Sequence, residues 1–164
     1  MKEAGGDVEV ASLTEDEWRV LRETRLAALA DAAGAFAASE AEEAARPEQY
    51  WRTLARTGGI FVATAGGEPV GLVAGVPRET PGERGLAAMW VTPSWRGTGA
   101  AAMLVAAVAD WARTQRALRL SLWVPADNPR ALRFYARQGF ALTGRSRPFP
   151  ERPGRRVQEM ILDL

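Results

Sequence analysis

The sequence predicts one α/β or α+β domain, and three observations carry that expectation. The 164 residues are 47% hydrophobic and 25% charged, enough to bury a single core. Candidate strands and helices alternate as β, α, α, β, β, β, α, β, α, β, β, with helices returning the chain between neighbouring strands. No repeat or low-complexity segment interrupts that order, so one domain is expected to occupy residues 1–164.

The elements follow from local patterns. Residues 1–7 are expected to be a disordered terminus. Val8 to Ala11 reads as a short strand. In "SLTEDEWRVLRETRLAALADA", Ser12 or Thr14 offers an N-cap, acids fill the first turn, and Trp18, Leu21, Leu26 and Leu29 recur at helical spacing. Pro47 to about Arg56 predicts a second helix, ended by Gly58 and Gly59. Strands over Ile60 to Ala65 and Val70 to Val76 meet in a hairpin at "GGEP". A further strand, Gly85 to Val91, stops before Pro93. From Gly99 to about Gln115 a helix is expected, with Leu104, Val108 and Trp111 on one stripe. "LRLSLWV" reads as a strand, "NPRALRFYARQ" as a helix, and "GFALTGR" and "RRVQEMILDL" as two final strands. Arg145 to Arg156, rich in proline and arginine, is expected to be a long mobile loop.

Composition removes whole classes of chemistry. The chain has no cysteine and no histidine, and its one lysine is Lys2. Disulfides, Cys/His zinc sites, Ser/His/Asp or Cys/His nucleophiles and an interior Schiff-base lysine are therefore excluded. No metal site is expected. A formal charge of +1 gives no field that would recruit nucleic acid or an acidic membrane. No stretch approaches 18 uninterrupted apolar residues, and "MKEAGGDVEV" lacks the apolar core of a signal peptide, so a cytoplasmic location is expected.

The stretch "VTPSWRGTGAAAML" places Arg96, Gly97, Thr98 and Gly99 between a strand and a helix. The first turn of a helix leaves its amides unpaired, and the helix dipole adds partial positive charge there. Glycines let a diphosphate approach that backbone, and the arginine could pair with a phosphate oxygen. A P-loop would need Gly-Lys-Ser/Thr. A dinucleotide fold would need an acid about 20 residues on, and Leu118 to Val124 has none.

This loop, followed by "LWVPADNPRALRFYARQGF", resembles the GNAT superfamily of acetyl-CoA-dependent N-acetyltransferases, most clearly from about Leu86 to Phe140. The resemblance implies a mixed, mostly antiparallel sheet whose central parallel strand pair, ending at Val91 and Val124, splays to admit the pantetheine of acetyl-CoA. It implies that the backbone around Trp90, at Met89 and Val91, bonds the acetyl and pantetheine arm. It further implies that the amides of Arg96, Gly97, Gly99, Ala100 and Ala101, around Thr98, take the pyrophosphate. Asn128 would contact the cofactor arm and Tyr135 would sit at the sulfur, with the small Ala131 between them on one helix face.

The same residues have structural readings. Asn128 followed by Pro129 is also an ordinary helix start, and Tyr135 could be a half-buried core aromatic like Phe134 and Phe140. Arg96 could be a surface arginine. Trp90 and Trp123 could line an acceptor pocket or belong to the core. Glu40, Glu42 and Glu43 could reach over the acceptor mouth or form a solvated helix face.

Without a covalent nucleophile, direct attack of a primary amine on the thioester is expected, through a tetrahedral intermediate. Tyr135 would serve as general acid to the departing thiolate, and the Val91 amide would polarise the carbonyl. Neutralising an alkylammonium at pH 7 costs about 4.6 kcal/mol, against about 1 for an α-amine, so a base matters for the first. "GLAAMWV" carries no acid, which leaves Glu83, or Glu40 or Glu43, acting through water. The expected acceptor is a small-molecule amine. Protein Nα or Nε acetylation and a non-catalytic acetyl-CoA sensor are the alternatives. Exposed C-terminal strands make a homodimer possible.

Overall fold

Seven strands form one sheet in the computed structural model, which describes residues 6–164. Residues 1–5, including Lys2 and most of the segment expected to be disordered, lie outside the described residues. The strands are β1 (Val8–Ser12), β2 (Ile60–Ala65), β3 (Glu68–Pro77), β4 (Glu83–Val91), β5 (Arg119–Pro125), β6 (Ala141–Pro148) and β7 (Arg156–Asp163). Their spatial order is β1-β2-β3-β4-β5-β7-β6. Every adjacent pair is antiparallel except the central β4 and β5. The helices are α1 (Trp18–Asp31), α2 (Glu40–Ala44), α3 (Glu48–Arg56), α4 (Ala100–Thr114) and α5 (Pro129–Arg137).

Period-two alternation on the central strands splits the core into two layers. Val73 of β3 packs with Leu104, Val108 and Ala112 of α4 and with Leu120 of β5, all fully buried. Its neighbours Leu72 and Ala74 face the other way, against Trp18 and Leu21 of α1 and Trp51 and Ala55 of α3. Helices therefore cover both faces, and each buried leucine contributes about 1.5–3 kcal/mol. Trp111 of α4 lies so close to β3 that a Cβ on Gly75 would sit 2.5 Å from its ring. Only glycine fits there.

Two features open the middle of the sheet. The β4–β5 ladder consists of Glu83↔Arg119, Arg84↔Leu120 and Gly85↔Ser121 and then ends. Beyond it the strands diverge into a wedge. On the other side of β4 the register slips between Leu72↔Trp90 and Ala74↔Ala87, so Ala88 and Met89 both stand opposite Val73. Ala88 takes φ +56°, a left-handed conformation that costs an alanine roughly 1–2 kcal/mol. This bulge bends β4 at the mouth of the wedge.

Two expectations change. The segment from Arg145 to Arg156 is not one long loop, because β6 continues to Pro148 and leaves only residues 149–155 as the connection. All eight residues of β6 are exposed at the sheet edge, so no apolar alternation marks its continuation past Arg145 in the sequence. The short α2 is an additional element, capped by Ser39, whose Oγ accepts from the Glu42 amide at 3.2 Å.

Candidate active site

The chain leaves β4 through a single turn at Pro93–Trp95 and reaches α4 through Arg96, Gly97, Thr98 and Gly99. Gly97 and Gly99 have φ of +78° and +91°, which explains why glycine stands at both. A Cβ on either would point into open space with nothing within 4 Å. The first α4 amide to find a backbone acceptor is that of Met103, which donates to Gly99 O at 3.1 Å. The preceding amides, from Gly97 to Ala102, have no acceptor among the described residues. The Thr98 hydroxyl turns back to Trp95 O at 2.5 Å. The result is a concave row of unpaired donors at the positive end of a helix, a site for an anion.

A cleft of about 580 Å³ runs from this cradle into the wedge. Met89, Trp90 and Val91 of β4 line one wall, and Asn128, Ala131, Phe134 and Tyr135 of α5 line another. Ala32, Ala35 and Phe36, just after α1, close the end. Asn128 Oδ1 accepts from the Ala131 amide at 3.1 Å, so the capping role is realised. Tyr135 is only 7% exposed and packs edge-on against Phe134 and Phe140 at 5.0 and 5.7 Å. Burial pushes its hydroxyl pKa well above the ordinary tyrosine value, which keeps it a proton carrier at neutral pH.

Arg96 does not reach into the cradle. Its Nη2 lies 2.6 Å from Asp31 Oδ2, and its Nε donates to Val91 O at 3.0 Å. The same Asp31 oxygen accepts from Trp90 Nε1 at 2.9 Å. Asp31 thus ties the end of α1 to the cleft wall and to the cradle. These bonds, from Trp90 and then Arg96, hold its carboxyl below the usual aspartate range against a smaller opposing effect of burial.

Residues 15–140 match the model of the Acetyltransferase (GNAT) family. The chain belongs to that family. A stretch of 63 residues is 44% identical to an uncharacterized N-acetyltransferase of Mycobacterium tuberculosis, covering 36% of this chain and 38% of that relative. The matched region thus spans well under half of the curated relative. Two solved structures share the fold over nearly the whole chain. One is ribosomal-protein-alanine N-acetyltransferase from Brucella melitensis, with TM-score 0.72 and 21% identity over 95% of this chain and 99% of that one. The other is Arabidopsis thaliana Naa50 in complex with the bisubstrate analogue CoA-Ac-MVNAL, with TM-score 0.72 and 16% identity over 96% and 99%.

The GNAT family uses acetyl-CoA as co-substrate, and the donors present fit it: unpaired amides face the space a diphosphate would fill. The structure gathers Met89, Trp90, Val91, Arg96, Gly97, Gly99, Ala101, Asn128, Ala131 and Tyr135 around one cleft. Ala100 is buried beneath the cradle. The three acids expected as bases, Glu83, Glu40 and Glu43, do not line the cleft. Glu83 begins β4, and its Oε1 accepts from Ser121 Oγ at 2.6 Å, in a separate hollow with Thr80, Leu118 and Asp163. Six residues of strand, about 20 Å, separate it from Met89. Glu43 is buried in α2, where Oε1 meets Arg25 Nη2 at 3.6 Å and Oε2 has no partner among the described residues. Arg25 in turn stacks on Phe36 of the cleft. Glu40 and Glu42 are exposed on α2. Trp123 also stands apart, under the guanidinium groups of Arg147 and Arg145 at 4.0 and 5.8 Å.

Sequence reasoning missed four contributors to this GNAT site: Asp31, Phe36, Arg130 and Arg137. Arg130 and Arg137 could have been found, since they share the seven-residue spacing of Asn128 and Tyr135 on the same helix. Asp31 carries no local signal.

Proposed function

We propose that this GNAT enzyme transfers the acetyl group of acetyl-CoA to a primary amine of a small molecule. The supporting observation is a strap between two walls of the cleft. Arg152 donates to Phe36 O at 3.0 Å and also to Ala33 O. Arg155 donates to Gly34 O at 2.5 Å and holds Asp127 through two bonds of 3.1 and 2.9 Å. The connection between β6 and β7 is thereby fastened to the segment after α1 and to the turn before α5. An extended polypeptide acceptor needs an open groove, and this fastening favours a compact one.

In this reading the Gly97–Ala102 amides hold the pyrophosphate, and the β4 edge at Met89 and Val91 orients the thioester in the wedge. The amine nitrogen attacks the carbonyl carbon, the Val91 amide bonds the developing oxyanion, and the C–S bond breaks as the C–N bond forms. Tyr135 donates its proton to the departing thiolate, an uphill transfer because burial raises the tyrosine well above a thiol near 8.5, and the step is completed as the proton given up by the amine restores the tyrosine. The proton released by the amine leaves the nitrogen through water; of the expected acids, Glu43 is joined to the cleft through Arg25 and Phe36, whereas Glu83 sits in a separate hollow.

The experiment follows free thiol release from acetyl-CoA with two panels, small amines and short peptides. Turnover with a small amine is expected. Turnover with peptides alone would sink the small-molecule reading, and turnover with neither would sink the acetyltransferase mechanism.

A further inference from the structure

Arg130 and Arg137 take no part in the chemistry above. Both lie on α5, both are exposed, and both line the cleft with Gly97, Gly99 and Asn128. Neither meets a carboxylate among the described residues. Arg133 belongs to the same helix and is equally exposed, yet it lies outside the cleft. Seven residues separate Arg130 from Arg137, two helical turns or about 10.5 Å. Two long side chains at that spacing can close on one anion from either end.

The charge balance of the cleft bears on which anion that is. The amide cradle offers neutral donors for one diphosphate. The cation nearest to it, Arg96, is engaged by Asp31 and Val91 O. A CoA thioester carries a second anionic group, the phosphomonoester on its ribose. With a second pKa near 6, that group is mostly a dianion at pH 7, and the cradle holds nothing for it. We propose that Arg130 and Arg137 form a phosphomonoester site that reads the 3′-phosphate of the acyl carrier. The proposal rests on the acetyl-CoA reading above. Guanidinium groups suit the task because they bond phosphate oxygens in pairs and stay charged at any working pH. The site makes the enzyme selective for CoA over carriers that end at the diphosphate, and makes carrier affinity depend on salt.

Isothermal titration of CoA and of 3′-dephospho-CoA into the wild type, R130Q, R137Q, R130Q/R137Q and R133Q tests it. The wild type and R133Q are expected to bind CoA at least about tenfold tighter than the dephospho form, the gain of one charge-assisted pair. In the double variant the two Kd values should converge within about twofold, with the dephospho-CoA Kd unchanged and thermal melting intact. Full preference for CoA in the double variant would overturn the proposal. So would no preference in the wild type, or equal weakening of both ligands in the double variant, which would move the arginines to the diphosphate. A wild type that binds neither carrier would instead overturn the acetyl-CoA reading, and this site with it.

Discussion

Asp31 Oδ2 lies 2.6 Å from Nη2 of Arg96, so the last residue of α1 holds the first residue of the glycine cradle. The same oxygen fixes the Trp90 indole. Because the folded-state carboxyl is held below its ordinary value of 3.8, its contribution to stability is present above about pH 4. That contribution is lost as pH falls through the depressed value. Asp31→Asn keeps an acceptor for Trp90 but removes the ion pair. The variant should unfold more readily than wild type at pH 7, with the difference shrinking in acid. Denaturant midpoints at pH 7 and pH 3 check this, and an equal gap at both would contradict it.

Gly99→Val places a branched side chain at φ +91° and aims it into the space over the unpaired amides. The strain costs roughly 1–2 kcal/mol, which leaves a folded protein. Acetyl-CoA should no longer raise its Tm. A ligand-induced shift equal to that of wild type would place the diphosphate elsewhere.

Tyr135→Phe preserves the edge-on packing with Phe134 and Phe140 and deletes only the hydroxyl. Acetyl-CoA binding should persist while kcat falls by about 10²- to 10⁴-fold, the usual worth of a general acid. Burial raises this group above its ordinary value of 10.0. The stability linked to its protonated form is therefore complete below pH 10 and lost as pH rises beyond it. The phenylalanine variant should lack that alkaline loss in melting curves.

The acids admit a direct comparison. If Glu83 or Glu43 relays a proton through water, alanine at the working one should shift the acidic limb of the kcat/KM pH profile for an alkylamine acceptor. An acceptor with an α-amine should be affected far less, because its deprotonation near neutral pH costs about 1 kcal/mol. Unchanged profiles for both variants would remove both residues from the reaction.

Ala88 sits at φ +56° in the bulge of β4. Glycine adopts that conformation without penalty, so Ala88→Gly should change stability by no more than about 1 kcal/mol in either direction, its greater unfolded-state entropy offsetting the released strain. A larger loss in a denaturant titration would show that the alanine methyl, which packs against the α1 and α3 layer, outweighs the strain.

Whatever depends on neighbours in the chain was readable from the sequence. The glycines of "WRGTGA" announce a backbone that only glycine adopts easily, and the spacing of Asn128, Ala131 and Tyr135 fixes their common helix face before any tertiary contact exists. Strands β2 to β5 are marked by apolar side chains because both of their faces are covered. Edge strand β6 has no buried face, so although its first half reads as a strand, its end, from Arg145 to Pro148, reads as a loop. The tertiary structure decided which of the 20 acids approach the cleft. Asp31 meets Arg96 across 65 residues, and Arg152 meets Phe36 across 116. Arginine and aspartate side chains carry no local preference that names a distant partner, and such pairs exist only once the sheet has brought their elements together. For the same reason the sequence offers Arg96 as a phosphate partner or a surface arginine without naming the carboxylate that holds it in this fold.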